Sequence, residues 1–151
     1  MMRSILGGLA YAAPTFALGF VWHLVLFERY YSALKIYRSD IIIPFGFLAI
    51  LIQAVIFAWI YQQVFAKRSG TLMSRALIYG LLGAALSWSF TTLAVAAKNL
   101  MASVTDYLLI ETAFTVVQWT LVAPLTALAF GRRDEDGLSS NPNERRPKKL
   151  K

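Results

Sequence analysis

The chain has 151 residues, of which 58% are apolar and only 15% are charged, and it contains no cysteine. A soluble domain usually has about 45–50% apolar and about 25% charged residues, so this composition excludes a disordered chain and an ordinary soluble enzyme. The lack of cysteine excludes disulfides, thiolate metal sites and thiol redox chemistry. The class that remains is a small multispanning membrane protein.

Four apolar stretches are long enough to cross a bilayer, which requires about 20 residues in helical form. We predict helices over about 5–27, 41–65, 76–97 and 107–130, which together form a transmembrane domain of residues 1–130. These stretches contain no Lys or Arg, and their one acidic residue is Glu111. Because lipid offers no hydrogen-bond partners to the backbone, the predicted fold is an all-α integral membrane four-helix bundle.

The distribution of basic residues predicts how the bundle is oriented. Lys and Arg concentrate in cytoplasmic loops of membrane proteins. One side of the predicted bundle carries Arg29, Lys35, Arg38 and Lys98. The side with both termini carries Arg3, Lys67, Arg68, Arg75, Arg132, Arg133, Arg145, Arg146, Lys148, Lys149 and Lys151. We therefore expect both termini to be cytoplasmic.

The first predicted outer loop, 28–40, combines aromatic and basic residues. Tyr30, Leu34 and Tyr37 follow i, i+4, i+7 spacing, which predicts one face of a short interfacial helix. Lipid headgroups are the expected contacts of Arg29, Lys35 and Arg38. Aromatic residues near span ends are typical interface anchors. We assign to the outer belt Trp22, Tyr30, Tyr31, Tyr37 and Tyr107, and to the inner belt Tyr11, Trp59, Tyr61 and Tyr79.

The C-terminal segment, 131–151, has almost no apolar residues and is predicted to be a disordered, basic cytoplasmic tail. Its last basic residues are expected to attract anionic lipid, at roughly 1 kcal/mol for each residue near the surface. These residues are Arg145, Arg146, Lys148 and Lys149. Acidic residues offset much of the tail's charge, so we expect no nucleic-acid partner.

Two ionisable residues, His23 and Glu111, fall inside the predicted spans. Each lies about 6 Å from the outer end of its helix at 1.5 Å per residue. Ionisable residues in spans indicate function by default. We hypothesise an outward-facing polar pocket with His23 and Glu111 at its floor and with Lys98 and Asp106 at its rim. The alternative is a structural pair that only joins two helices.

Further polar residues lie deeper in the predicted spans, on helix faces whose exposure to lipid would be unfavourable. On the fourth predicted helix, Gln118 shares a face with Glu111 and Thr115, and Gln53 lies at a similar depth on the second. These rows could line a pocket or a narrow channel, or could only join the helices. An interhelical hydrogen bond averages about 0.6 kcal/mol, so the rows alone do not require a function. The candidate pocket comprises His23, Gln53, Glu111, Thr115 and Gln118.

The run Gly19-Phe20-Val21-Trp22-His23, followed by Phe27 and Tyr30-Tyr31, resembles a pattern in small, uncharacterised four-helix proteins of the bacterial inner membrane. The resemblance covers chiefly the first predicted hairpin. It implies a compact four-helix membrane bundle of bacterial origin, and it implies no particular activity.

Two functions are compatible with these features, ahead of a third, an enzyme that acts on lipid with His23 as base, for which no nucleophile stands beside His23 in the sequence. The first is a non-enzymatic accessory or structural membrane protein, since no catalytic constellation is evident. The second is a small transporter or ligand-binding bundle that uses the His23/Glu111 pocket. A metal site needs about three protein ligands, and with one His and no Cys we expect no metal and no cofactor. The expected partners are the lipid bilayer and either a second copy, in a homodimer, or a larger membrane complex.

Overall fold

The computed structural model describes residues 2–38 and 40–131, and its regular elements are all helical. The α-helices are α1 Met2–Val21, α2 Glu28–Leu34, α3 Ile43–Ile60, α4 Leu72–Ser87, α5 Ala94–Lys98 and α6 Val104–Gly131. Three π-helical segments follow α1, α3 and α4 directly, and they are Trp22–Leu26, Tyr61–Phe65 and Trp88–Leu93. The predicted tail lies outside the described residues, apart from Gly131, which ends α6.

Four continuous helical rods are each long and apolar enough to cross a membrane, which confirms that part of the prediction. They extend over Met2–Leu26, Ile43–Phe65, Leu72–Lys98 and Val104–Gly131. The third and fourth begin before the predicted apolar stretches because polar caps start them. The Thr71 hydroxyl accepts a 3.2 Å hydrogen bond from the Ser74 N–H, and the Ser103 hydroxyl accepts one from Asp106.

The rod containing α6 lies at the centre of the bundle. It packs against α1 and α4, and α3 packs against α1 and also reaches α6, where the Phe57 ring lies 4.9 Å from the Trp119 ring. The central position explains why 44% of its apolar window is buried, compared with 11–17% for the other three rods. In a membrane, a peripheral rod would expose its apolar side chains to lipid, which is consistent with the low burial of the other three rods.

Three tyrosines assigned to the inner belt lie in the core instead. Tyr11 and Tyr61 are 1% exposed, and Tyr79 is 0% exposed. The Tyr79 ring makes edge-on contacts with Tyr61 and Trp119, at centroid distances of 4.9 and 5.5 Å. The assignment was wrong because position near a span end does not reveal which face of the helix is buried. Trp59, at 61% exposure, keeps an exposed position consistent with an anchor.

Helix α2 docks on the bundle through a different face from the predicted one. Tyr31 and Leu34 are buried against Tyr107 and Ile110 of α6, whereas Tyr30 is 40% exposed. The helix ends at Leu34, and the next residue, Lys35, adopts a left-handed conformation with φ 57°. Tyr37 is therefore not on α2, and the predicted i, i+4, i+7 face does not form.

Candidate functional site

His23 and Glu111 meet near one end of the bundle, although they are distant in sequence. The Nε2 atom of His23 lies 3.2 Å from Oε1 of Glu111. Their side chains are 20% and 12% exposed, so the contact is largely shielded. His23 belongs to the π-helical segment after α1, and Glu111 belongs to α6. The structure thus brings together the two ionisable residues that the sequence analysis paired.

The contact made by the second ring nitrogen of His23 shows which nitrogen carries a proton. Nδ1 is 2.9 Å from the Gly19 carbonyl oxygen, which can only accept a hydrogen bond, so Nδ1 carries a proton. One further proton then lies between Nε2 and Glu111, on the imidazole or on the carboxyl group. Either position keeps the 3.2 Å contact as a hydrogen bond.

Tyr31 of α2 is a third member of this cluster. Its hydroxyl donates a 2.7 Å hydrogen bond to the same Glu111 oxygen, Oε1. Burial, with the nearby Glu111 charge, raises the pKa of Tyr31, so its hydroxyl remains a proton donor. The aromatic rings of Tyr31 and Phe114 also hold the His23 ring, at centroid distances of 4.8 and 4.6 Å. The His23–Glu111–Tyr31 cluster consists of these three polar side chains.

A polar cavity of about 290 Å³ adjoins this cluster inside the bundle. It lies between α1, α3, the α4 rod and α6. Its walls include all five residues of the candidate pocket, namely His23, Gln53, Glu111, Thr115 and Gln118. The other walls are Thr15, Gly19, Ile50, Ser87, Thr91 and Phe114.

Hydrogen bonds between helices close the deep end of the cavity. The Tyr11 hydroxyl donates to Gln53 Oε1 at 3.0 Å, and Gln118 Nε2 donates to the Thr15 hydroxyl at 3.4 Å. Gln118 lies seven residues below Glu111, which corresponds to about 10 Å along a helix. The polar rows therefore both join the helices and line a cavity.

Two π-helical segments border the cavity. Their backbone N–H groups bond five residues back, as Phe27 does to the Trp22 carbonyl at 3.0 Å. Such segments often occur at functional sites. One of them holds His23, and the other, Trp88–Leu93, contributes Thr91.

The predicted rim residues, and the predicted headgroup residues that the structure describes, are not among the residues that line the cavity. Lys98 ends α5 and Asp106 is in the first turn of α6; both are exposed and neither is among the described residues that line the cavity. Arg29, Lys35 and Arg38 are exposed, and Arg38 pairs with Asp40 at 3.3 Å. The headgroup residues Arg145, Arg146, Lys148 and Lys149 lie outside the described residues.

Sequence reasoning missed Tyr31 as a partner of Glu111. The available signal was a tyrosine one position away from the predicted interfacial face, in the loop nearest to His23. Spacing alone could not distinguish Tyr30 from Tyr31, because only docking against α6 shows which of them is buried.

The chemistry of the cavity is hydrogen bonding and proton sharing. Within 2–38 and 40–131, no group of three or more His, Cys, Asp and Glu residues could hold a metal ion. Comparisons with protein-family models, with curated proteins and with solved structures give no match to this chain.

Proposed function

We propose that this chain is a multi-pass protein of a bacterial inner membrane, with both termini in the cytoplasm, that binds a small ligand in an outward-facing polar cavity. The four apolar rods support insertion. The excess of Lys and Arg on the side of the two termini supports the orientation. This orientation turns the His23–Glu111–Tyr31 cluster toward the outer leaflet.

The observation that carries the binding function is the His23–Glu111 contact at the wall of a polar cavity. Polar and ionisable groups are costly in lipid, and interhelical hydrogen bonds repay little of that cost. A bundle that used these residues only for packing would be expected to close around them. Here a volume of about 290 Å³ remains beside the pair, and most of the side chains that line it carry hydroxyl or amide groups.

Binding fits this geometry better than catalysis does. Both ring nitrogens of His23 are engaged, one by Gly19 and the other by Glu111. Neither nitrogen therefore activates a Ser or Thr hydroxyl as a nucleophile. The Ser87 hydroxyl, which also lines the cavity, already accepts a 3.0 Å hydrogen bond from Trp119.

Cysteine accessibility tests whether the cavity opens to the outside, and the chain has no native cysteine to interfere. Thr91 and Ser89 are both exposed positions of the same segment, but of the two only Thr91 lines the cavity, so Thr91→Cys places a thiol in the cavity wall and Ser89→Cys places one outside it. With a membrane-impermeant thiosulfonate added outside, we expect Thr91→Cys to react at least about tenfold faster, because lipid disfavours the reactive thiolate. Equal rates would contradict an outward-facing cavity.

Replacing Glu111 gives this experiment a charge control. In the Thr91→Cys background, Glu111→Gln should change the rates of a cationic and of an anionic thiosulfonate by the same factor, because one proton shared by His23 and Glu111 leaves the pair without net charge. Opposite changes for the two reagents would mean that Glu111 carries an uncompensated charge in the cavity.

A second candidate function, a structural accessory subunit, is favoured by the Tyr31–Glu111 hydrogen bond. That 2.7 Å bond joins α2 to α6 and could be the main purpose of the cluster. In that case His23→Gln and Glu111→Gln would each reduce the folded yield in detergent. The binding function instead predicts folded variants with altered access to the cavity.

A further inference from the structure

An apolar groove runs along the outside of the bundle between α1 and α3. Its volume is about 210 Å³, and its walls include Phe16, Phe20 and Phe47. These three side chains are 36–45% exposed. The Phe16 and Phe47 rings make an edge-on contact at 5.5 Å, which joins the two helices beside the groove. In a membrane this surface faces acyl chains.

The groove and the polar cavity adjoin each other at shared residues. Gly19, His23 and Ile50 line both. A Cβ atom at Gly19 would meet no neighbouring atom within 4 Å. The boundary between the two spaces therefore carries no side chain at Gly19.

The charges in the cavity indicate the kind of head group that it would accept. Among the described lining residues, the ionisable side chains are His23 and Glu111, and they pair with each other. No Lys or Arg within 2–38 and 40–131 lines the cavity to receive a phosphate. The remaining polar walls are hydroxyl and amide groups, which both donate and accept hydrogen bonds.

We propose that the ligand is a single-chain amphiphile with an uncharged, hydrogen-bonding head group. Its acyl chain lies in the groove along α1 and α3, and its head passes Gly19 into the cavity beside His23. This inference rests on the proposed binding function and adds the class of ligand and the lateral route of entry.

Photocrosslinking of the full chain in phosphatidylcholine nanodiscs tests the proposal. The probe is a monoacylglycerol with a diazirine in its acyl chain, and the labelled residues are identified by mass spectrometry. The comparison probes are a diazirine alkane without a head and a diazirine lysophosphatidate with an anionic head. A hydrogen bond of about 0.6 kcal/mol raises the occupancy of the binding site by the probe about threefold. The monoacylglycerol has two head-group hydroxyls, so it should label the groove about tenfold more than the alkane does.

Two variants block the proposed path, and one control adds the same bulk elsewhere. Gly19→Leu fills the opening, and Gly46→Leu fills only the groove, where a Cβ also meets nothing within 4 Å. Ala17→Leu adds the same side chain to an exposed position of α1 that does not line the groove. We expect labelling to fall to the alkane level in both glycine variants and to persist in Ala17→Leu.

Equal labelling by all three probes, or full labelling in folded Gly19→Leu and Gly46→Leu, would overturn the amphiphile proposal. Stronger labelling by the lysophosphatidate would do the same, because it would require a site for an anion. If Thr91→Cys still reacts from outside, the polar cavity survives and only the ligand class fails. If Thr91→Cys also reacts no faster than Ser89→Cys, the binding function fails as well.

Discussion

Tyr31 and Glu111 lie 80 positions apart in the sequence, yet the Tyr31 hydroxyl donates a 2.7 Å hydrogen bond to Glu111 Oε1. The bond joins a short helix outside the apolar rods to the central rod of the bundle. Because Tyr31 is 0% exposed, water cannot replace this donor without an opening of α2. The packing of α2 and the state of the His23–Glu111 pair are therefore linked through one carboxylate oxygen.

The Tyr31→Phe variant tests this link. It removes the donor and keeps the ring, so we expect the free energy of unfolding in detergent to fall by about 1–3 kcal/mol, the cost of a lost buried partner. Hydrogen exchange in Glu28–Leu34 should accelerate at the same time. The matched control is Tyr30→Phe, whose side chain is 40% exposed and should tolerate the change. Equal effects of the two variants would exclude a special role for the Tyr31 hydroxyl.

Gly83 should not tolerate even a methyl group. A Cβ atom at this position of α4 would overlap the ring of Trp119 in α6. We expect Gly83→Ala to lower the free energy of unfolding by about 1–3 kcal/mol through overpacking. Gly46→Ala is the control, because its Cβ would meet nothing within 4 Å, and it should leave stability unchanged or raise it by up to about 1 kcal/mol. A neutral Gly83→Ala would mean that α4 and α6 are less closely packed than described.

The orientation of the chain can be read from two serine-to-cysteine variants. Ser32 is exposed on α2, and Ser69 is exposed in the connection before α4, at the opposite end of the bundle. An impermeant maleimide should label Ser32→Cys in intact cells and Ser69→Cys only after permeabilisation. The cysteine-free chain serves as the background. The reverse labelling pattern would refute the cytoplasmic placement of the termini.

The Tyr11–Gln53 hydrogen bond should contribute little to stability. In a double-mutant cycle of Tyr11→Phe and Gln53→Leu, we expect a coupling energy of about 0.6 kcal/mol, typical of interhelical bonds in membranes. Thermal unfolding in detergent measures all four species. A coupling of several kcal/mol would indicate that the polar row exists to hold α1 and α3 together, and would support the structural function.

Much of the candidate site was accessible to sequence reasoning because charge and amide groups are so rare in the apolar stretches. Helical spacing placed Glu111, Thr115 and Gln118 on one face, and the structure has all three on one cavity wall. The number of residues from the outer end of each predicted helix indicated that His23 and Glu111 lie at the same depth. The π-helical segments were not predictable in this way, because an i→i−5 hydrogen-bond pattern does not produce a recognisable hydropathy pattern in the sequence.

By itself, the amino-acid sequence determined the helical class and the number of apolar rods, because an apolar run long enough to cross a membrane would, in lipid, have to satisfy its backbone hydrogen bonds within a helix. It also determined which side carries most of the basic charge. The tertiary structure alone decided which tyrosines are buried and that Tyr31 bonds to Glu111. It likewise decided that a groove and a cavity adjoin at Gly19. These features depend on how the packed helices are rotated relative to one another. The fit of side chains across the whole bundle sets that rotation, and the local periodicity of the sequence does not.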